Sequence, residues 1–141
     1  RKLLEEVVAA DPNNEAEILL AHTWLYEDAK KAVKLISHIE PDSAQYDLAE
    51  TIRTFGRLFE LAERKDDLPD SPTKDLYVKA IEAIKAHNLD SALENFIEVI
   101  RNDRYYDDDG ARKACIAIFK YLGEENEITL KHRKVFNRAL Y

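Results

Sequence analysis

Between Leu89 and Gly123 the apolar residues return at a fixed helical spacing. Ala92, Leu93, Phe96, Ile97 and Ile100 stand at i, i+1, i+4, i+5 and i+8, and Ala114, Cys115, Ile118, Phe119 and Leu122 repeat the same interval. Each set makes one apolar stripe along an otherwise charged helix. Neither helix can bury its stripe alone, so this stretch predicts packed helical hairpins. A charged turn, Asp107-Asp108-Asp109-Gly110, separates the two, and Gly123 stands where a left-handed residue would close the second.

The same reading extends along the chain. Leu3, Leu4, Val7 and Val8 form a first stripe that ends before Asp11-Pro12-Asn13-Asn14. Pro12 disfavours helix at Asp11, and Asn13 or Asn14 can cap the next helix. That helix runs over about 14–25 with Ala16, Leu19, Leu20, Thr23 and Trp24 on one face. A short turn near Tyr26–Asp28 leads to a third helix, ending about His38, with Ala29, Ala32, Val33 and Ile36 inward. Pro41 ends this pair, and Asp42 or Ser43 opens a long helix reaching about Arg64. Its apolar set (Leu48, Ile52, Phe55, Leu58, Phe59, Leu61, Ala62) is too wide for one-sided burial. Gly56 in its middle costs about 1 kcal/mol relative to Ala, which predicts either a close neighbour or a bend.

Lys65 to Pro72 holds two prolines and many short polar residues, the clearest break in the chain. Ser71 or Thr73 then caps a helix over about 72–86 carrying Leu76, Tyr77, Ala80, Ile81 and Ile84. His87-Asn88 turns the chain into the helix that holds Phe96. A final helix, about 126–140, presents Ile128, Val135, Phe136, Ala139 and Leu140 to the core and Lys131, Arg133, Lys134 and Arg138 to solvent, as a terminal cap requires. Ala29 and Ala92 hold equivalent places 63 residues apart. That offset is no multiple of the usual repeat of about 34 residues, so the array is irregular. The expectation is an all-α, tetratricopeptide-like solenoid of helical hairpins, about eight helices with a C-terminal capping helix. It divides into N-terminal helices over 1–66, a loop at 67–72, and a hairpin with a capping helix pair over 73–141, in one continuous array.

Composition adds limits. At 141 residues with 45% hydrophobic content, the chain can bury one core or one short array. Its net charge of −7 disfavours nucleic acid as a partner. The one basic run, Lys131-His132-Arg133-Lys134, reads as a solvated helix face. No run of 18 or more apolar residues offers a membrane span. One cysteine excludes an internal disulfide and fits a reducing, cytoplasmic setting. The chain enters a helical pattern at Arg1 without an initiator Met, so a fragment of a longer protein is expected.

Chemistry is hard to find. Aligning Gly110 with the sixth position of a calcium loop puts Tyr105 first and Ile116 last, where Asp and Glu are needed. Cys115 lies on an apolar stripe and reads as a buried thiol. His22, His38, His87 and His132 show no pairing at i, i+3 or i, i+4, and no metal site is expected. There is no phosphate loop and no nucleophile elbow, so neither a catalytic nor a cofactor-binding residue is assigned. The cluster Arg101, Asp103, Arg104, Asp109 and Arg112 reads first as an ion-pair network around a turn and second as a partner surface. Tyr77, Lys85, Arg104, Tyr105 and Tyr106 are the candidate partner-binding residues, with core packing the alternative for the tyrosines.

The segments Glu98-Val99-Ile100-Arg101-Asn102-Asp103-Arg104, Asp108-Asp109-Gly110-Ala111-Arg112-Lys113-Ala114 and Ile118-Phe119-Lys120-Tyr121-Leu122-Gly123 carry a resemblance. They are similar to the C-terminal module of the bacterial thioredoxin–tetratricopeptide co-chaperones (chaperedoxins), over about Ser71–Tyr141. The resemblance implies a non-enzymatic module of a thioredoxin-like holdase, with unfolded clients and a chaperonin or Hsp70 system as partners. The alternative is a tetratricopeptide adaptor that docks one folded partner.

Overall fold

The computed structural model of the chain describes every residue except Arg1, Asp11 and Pro12. The expected break at Asp11-Pro12 therefore lies outside the described residues. Among those described there are eight α-helices, one 3-10 turn and no strand. The helices are α1 (Lys2–Ala10), α2 (Asn14–Trp24), α3 (Ala29–Leu35), α4 (Tyr46–Glu63), α5 (Lys74–Lys85), α6 (Leu89–Asp103), α7 (Tyr106–Leu122) and α8 (Glu127–Leu140). The chain forms two compact units, one ending at Arg57 and one from Leu58 to Tyr141, with the division inside α4.

In the first unit α2 packs on α1 and on α3. Short polar side chains start its helices. Asn13 Oδ1 accepts from the Ala16 N–H at 2.9 Å, and Asp28 Oδ1 from the Lys31 N–H at 3.1 Å. Such a cap is worth about 1 kcal/mol. The carbonyl groups after α3 are taken by Arg53, whose Nη2 donates to Ile36 O at 2.9 Å. Ile36 O also accepts from the Ile39 N–H at 3.2 Å, so the guanidinium adds a second donor at this helix end.

Two expected faces are corrected in this unit. Ala16 and Leu20 are buried as expected, but Leu19 is 52% exposed and Ile18 and Ala21 are buried in its stead. Ile18-Leu19-Leu20-Ala21 is apolar all round a helical turn, so periodicity could not choose its inward side. In α1, Leu3 is 72% exposed and Val7 is also exposed, while Leu4 and Val8 are half-buried. The stripe exists, but only its α2-facing half is covered among the described residues.

Gly56 is explained by a close neighbour. A Cβ there would lie 2.7 Å from Val33 Cγ2, and Ala29 is the next contact. Leu48, expected inward on α4, is exposed, whereas Ala49, Ile52 and Phe55 are buried.

In the second unit α6 is the shared element, packing against α5, α7 and α8. Seven of its residues are buried: Leu89, Ala92, Leu93, Phe96, Ile97, Val99 and Ile100. The α5–α6 turn is closed by backbone bonds. His87 has φ 62°, its N–H donates to Ile84 O, and the Asn88 N–H donates to Ala83 O, both at 2.9 Å. This is a Schellman closure with His in the left-handed place usually held by Gly. Asn88 then caps α6 through the Ser91 N–H. Before α5, Ser71 Oγ accepts from the Thr73 N–H at 3.1 Å, while Thr73 itself makes no capping bond.

At the C-terminal end, Asn126 caps α8 through the Ile128 N–H at 2.9 Å. Gly123 has the expected positive φ (92°), but its ψ of 158° is extended rather than left-handed helical. In α8, Thr129, His132 and Phe136 are the buried residues, and Phe136 stacks edge-on against Phe119 at 5.3 Å. Ile128, Val135, Ala139 and Leu140 are half-buried.

Two substitutions test this packing. Gly56→Ala should destabilise the protein by about 1–2 kcal/mol, because the overlap with Val33 outweighs the gain in helix propensity. In a Val33→Ala background the same change should stabilise, by up to about 1 kcal/mol. Phe96→Ala should cost about 3–5 kcal/mol in chemical denaturation, whereas exposed Leu130→Ala should stay within about 0.5 kcal/mol.

Candidate functional site

The motif residues gather where α6 gives way to α7. The charged turn expected at Asp107–Gly110 is present, but it is coiled rather than extended and so falls within the span of α7. Asp107, Asp108 and Asp109 have φ of 54°, 54° and 65°, a left-handed turn within the α7 span. The right-handed helix resumes at Gly110. Left-handed helical geometry costs an L-residue about 1–2 kcal/mol, least for Asp and Asn. It persists where surrounding contacts over-determine it.

Those contacts are specific. The Tyr77 hydroxyl donates to Asp107 Oδ2 at 2.5 Å. A hydrogen bond to a charged group contributes about 1.5–3 kcal/mol. Arg112 Nε donates to Asp109 Oδ2, also at 2.5 Å. Gly110 is buried beneath Tyr77, and a Cβ on it would fall 2.2 Å from the Tyr77 oxygen. The Tyr106 hydroxyl donates to Pro69 O at 2.6 Å and ties the loop before α5 to this corner. Burial, then the charges of Asp107, Asp70 and Asp103, push the Tyr106 hydroxyl pKa up. Arg104 Nη1 donates to Leu140 O at 2.9 Å, holding the end of α8.

The proposed partner-binding residues therefore occupy different environments. Tyr77 is wholly buried, edge-on to Phe96 at 5.7 Å and to Tyr106 at 5.3 Å. Tyr106 is also buried, so both rings serve packing and take the alternative that the pattern left open. Tyr105 is 70% exposed, with the Arg104 guanidinium over its ring at 5.4 Å. Lys85 is half-buried with its ammonium 5.7 Å from the Phe59 ring. The arginine cluster is split among separate tasks. Arg101 pairs with Glu98 on its own helix, Arg112 with Asp109, and Arg104 with a backbone carbonyl.

Sequence reasoning missed a second polar cluster on the same unit. His132, on α8, points Nε2 at Asp90 Oδ1 on α6 at 2.5 Å. Lys131 Nζ lies 3.1 Å from the same oxygen and 3.8 Å from Glu94 Oε1. The hydrogen bonds from His132 and then Lys131 hold the Asp90 carboxyl below its ordinary pKa of 3.8. The bond to Asp90 raises the Lys131 ammonium pKa. Asp90 and His132 are 42 residues apart, so no local spacing could announce them. Beside this cluster runs a groove of ≈360 Å³, lined by Glu94, Asn95, Glu98, Arg101, His132 and Val135 among others.

Cys115 is completely buried, and burial pushes its thiol far above the usual range. It has neither the exposure nor the thiolate character that redox chemistry needs. No described helix is long and apolar enough to cross a membrane.

With this geometry in place, comparison with known families finds a match to tetratricopeptide repeat over residues 60–141. The chain belongs to that family of helical-hairpin repeats, whose members characteristically serve as protein interaction modules. The match spans the end of α4 and all of α5 to α8. Searches of curated proteins and of solved structures return no match.

Two measurements check the electrostatics and the thiol. Asp90 is more acidic folded than unfolded, so its stabilising contribution is present above about pH 4 and is lost as pH falls further. The stability gap between wild type and Asp90→Asn should be widest near neutrality and close below that pH. Cys115 should react with a thiol reagent only at the rate of unfolding, and mild denaturant should accelerate the reaction.

Proposed function

We propose that the chain is a non-enzymatic protein–protein interaction module, the C-terminal part of a cytoplasmic, thioredoxin-like co-chaperone that holds unfolding clients and passes them to a chaperonin or Hsp70 system. The observation that carries this reading is the coincidence of the tetratricopeptide match at 60–141 with the Asp-Gly-Ala-Arg-Lys-Ala segment at 109–114. Those residues build the α6–α7 corner. Gly110 admits the Tyr77 hydroxyl, and Arg112 pins Asp109, so the motif preserves a shape rather than a reaction centre. Exposed Tyr105, with half-buried Arg104 beside it, stands at the edge of that corner as the contact for a partner, and Lys85 adds a cation on α5.

The adaptor reading has its own support. Of the exposed large apolar side chains, Leu3 and Val7 share α1, while Leu19, Leu48, Tyr105, Leu130 and Tyr141 are spread over other parts of the chain. Scattered apolar residues suit a single shaped partner better than promiscuous capture of unfolded chains. A heat-unfolded, aggregating client separates the two. Suppression of aggregation near stoichiometric ratios is the expected result for the holdase. Unchanged aggregation, together with tight binding of one folded protein, would leave the adaptor. Tyr105→Ala should weaken either interaction without lowering stability by more than about 0.5 kcal/mol.

A further inference from the structure

We propose that Asp90, Glu94 and His132 form a binding site for a divalent cation of the zinc type, bridging α6 and α8. Asp90 and Glu94 are four residues apart on α6, so both carboxylates rise from one face. His132 meets them from α8. One donor atom from each of the three lies within 4.8 Å of the others. A cation held at about 2.0–2.2 Å from each donor needs them roughly 3–4 Å apart. Glu94 swings in and Asp90 opens its 2.5 Å contact with His132 by changes of rotamer, since both carboxylates are on substantially exposed side chains.

Three features favour a ligand site over a surface ion pair. The imidazole is already fixed in place. Its side chain is only 5% exposed, and Nε2 is aimed at the Asp90 carboxylate, so little freedom remains to be lost on binding. The two carboxylates already share a positive charge, the Lys131 ammonium. That ammonium stands where a stronger cation would go, on a flexible side chain 58% exposed. An exposed pair of this kind is weak and yields to three-donor chelation of a divalent ion. Finally, Glu94 and His132 also line the ≈360 Å³ groove, which leaves room for water or another donor to complete a tetrahedral shell.

The donor set also decides the class of ion. One imidazole with two carboxylates suits zinc and its transition-metal neighbours, whereas magnesium and calcium prefer oxygen donors alone. A bound ion would fasten α8 to α6 and so stabilise the whole second unit.

The test uses the full chain, freed of metal by chelator and titrated with zinc by calorimetry, with cobalt absorption as a second readout. Saturable one-to-one binding is expected in the micromolar range, with a raised melting temperature and no response to millimolar magnesium. Glu94→Gln, at an exposed position that keeps the fold, should weaken binding ~10-fold or more. His132→Gln should abolish the tetrahedral cobalt spectrum. Lys131→Ala should tighten binding by removing the competing ammonium, an effect that loss of a structural ion pair would not produce. Absence of saturable zinc binding below millimolar concentration would overturn the proposal. So would wild-type affinity in both Glu94→Gln and His132→Gln, or equal competition by magnesium.

Discussion

The second unit depends on the burial of α6 from several sides at once. Phe96 sits at its centre against Tyr77, with Leu93 and Ile97 beside it and α7 and α8 completing the enclosure. Burying a large apolar side chain contributes about 1.5–3 kcal/mol, so the seven buried residues of α6 outweigh every surface ion pair in this unit. The helix ends are arranged to permit that burial. His87 adopts a left-handed conformation, Asn88 caps, and Arg104 reaches across to the Leu140 carbonyl at the end of α8.

Tyr77 links the core to the corner. Its ring belongs to the apolar packing, while its hydroxyl holds Asp107 in a left-handed turn and lies where a side chain on residue 110 would otherwise go. Packing, backbone strain and the single interior glycine of α7 thus answer to one side chain. The acidic triplet, which reads from the sequence as a charged turn and a failed ion loop, bends the chain between two helices through left-handed backbone.

Much of this was legible from periodicity. The stripes of α6 and α7 were read residue by residue, because each helix alternates apolar and charged positions cleanly. Gly56 left a close neighbour or a bend open, and Val33 supplies the neighbour. The face of α2 was not legible, because Ile18 to Ala21 is apolar through a full turn. The left-handed turn was hidden for a different reason. Its cause is Tyr77, thirty residues away. Of the suggested contact residues, exposure favours Tyr105, while Tyr77 and Tyr106 are drawn inward by hydroxyl partners that sequence spacing does not reveal. The Asp90–His132 pairing was missed likewise, since it exists only once α8 has docked on α6.

A tetratricopeptide module of this kind acts through its surface, and it can do so only if the scaffold beneath is rigid. The most direct test of α6 as that scaffold is native-state hydrogen exchange, resolved by residue. Amides of Phe96 to Ile100 should exchange only through global unfolding, with the slowest rates in the chain, while those of α1 exchange early. Rates for α6 as fast as those for α1 would contradict the account, because the helix would then open without the rest of its unit.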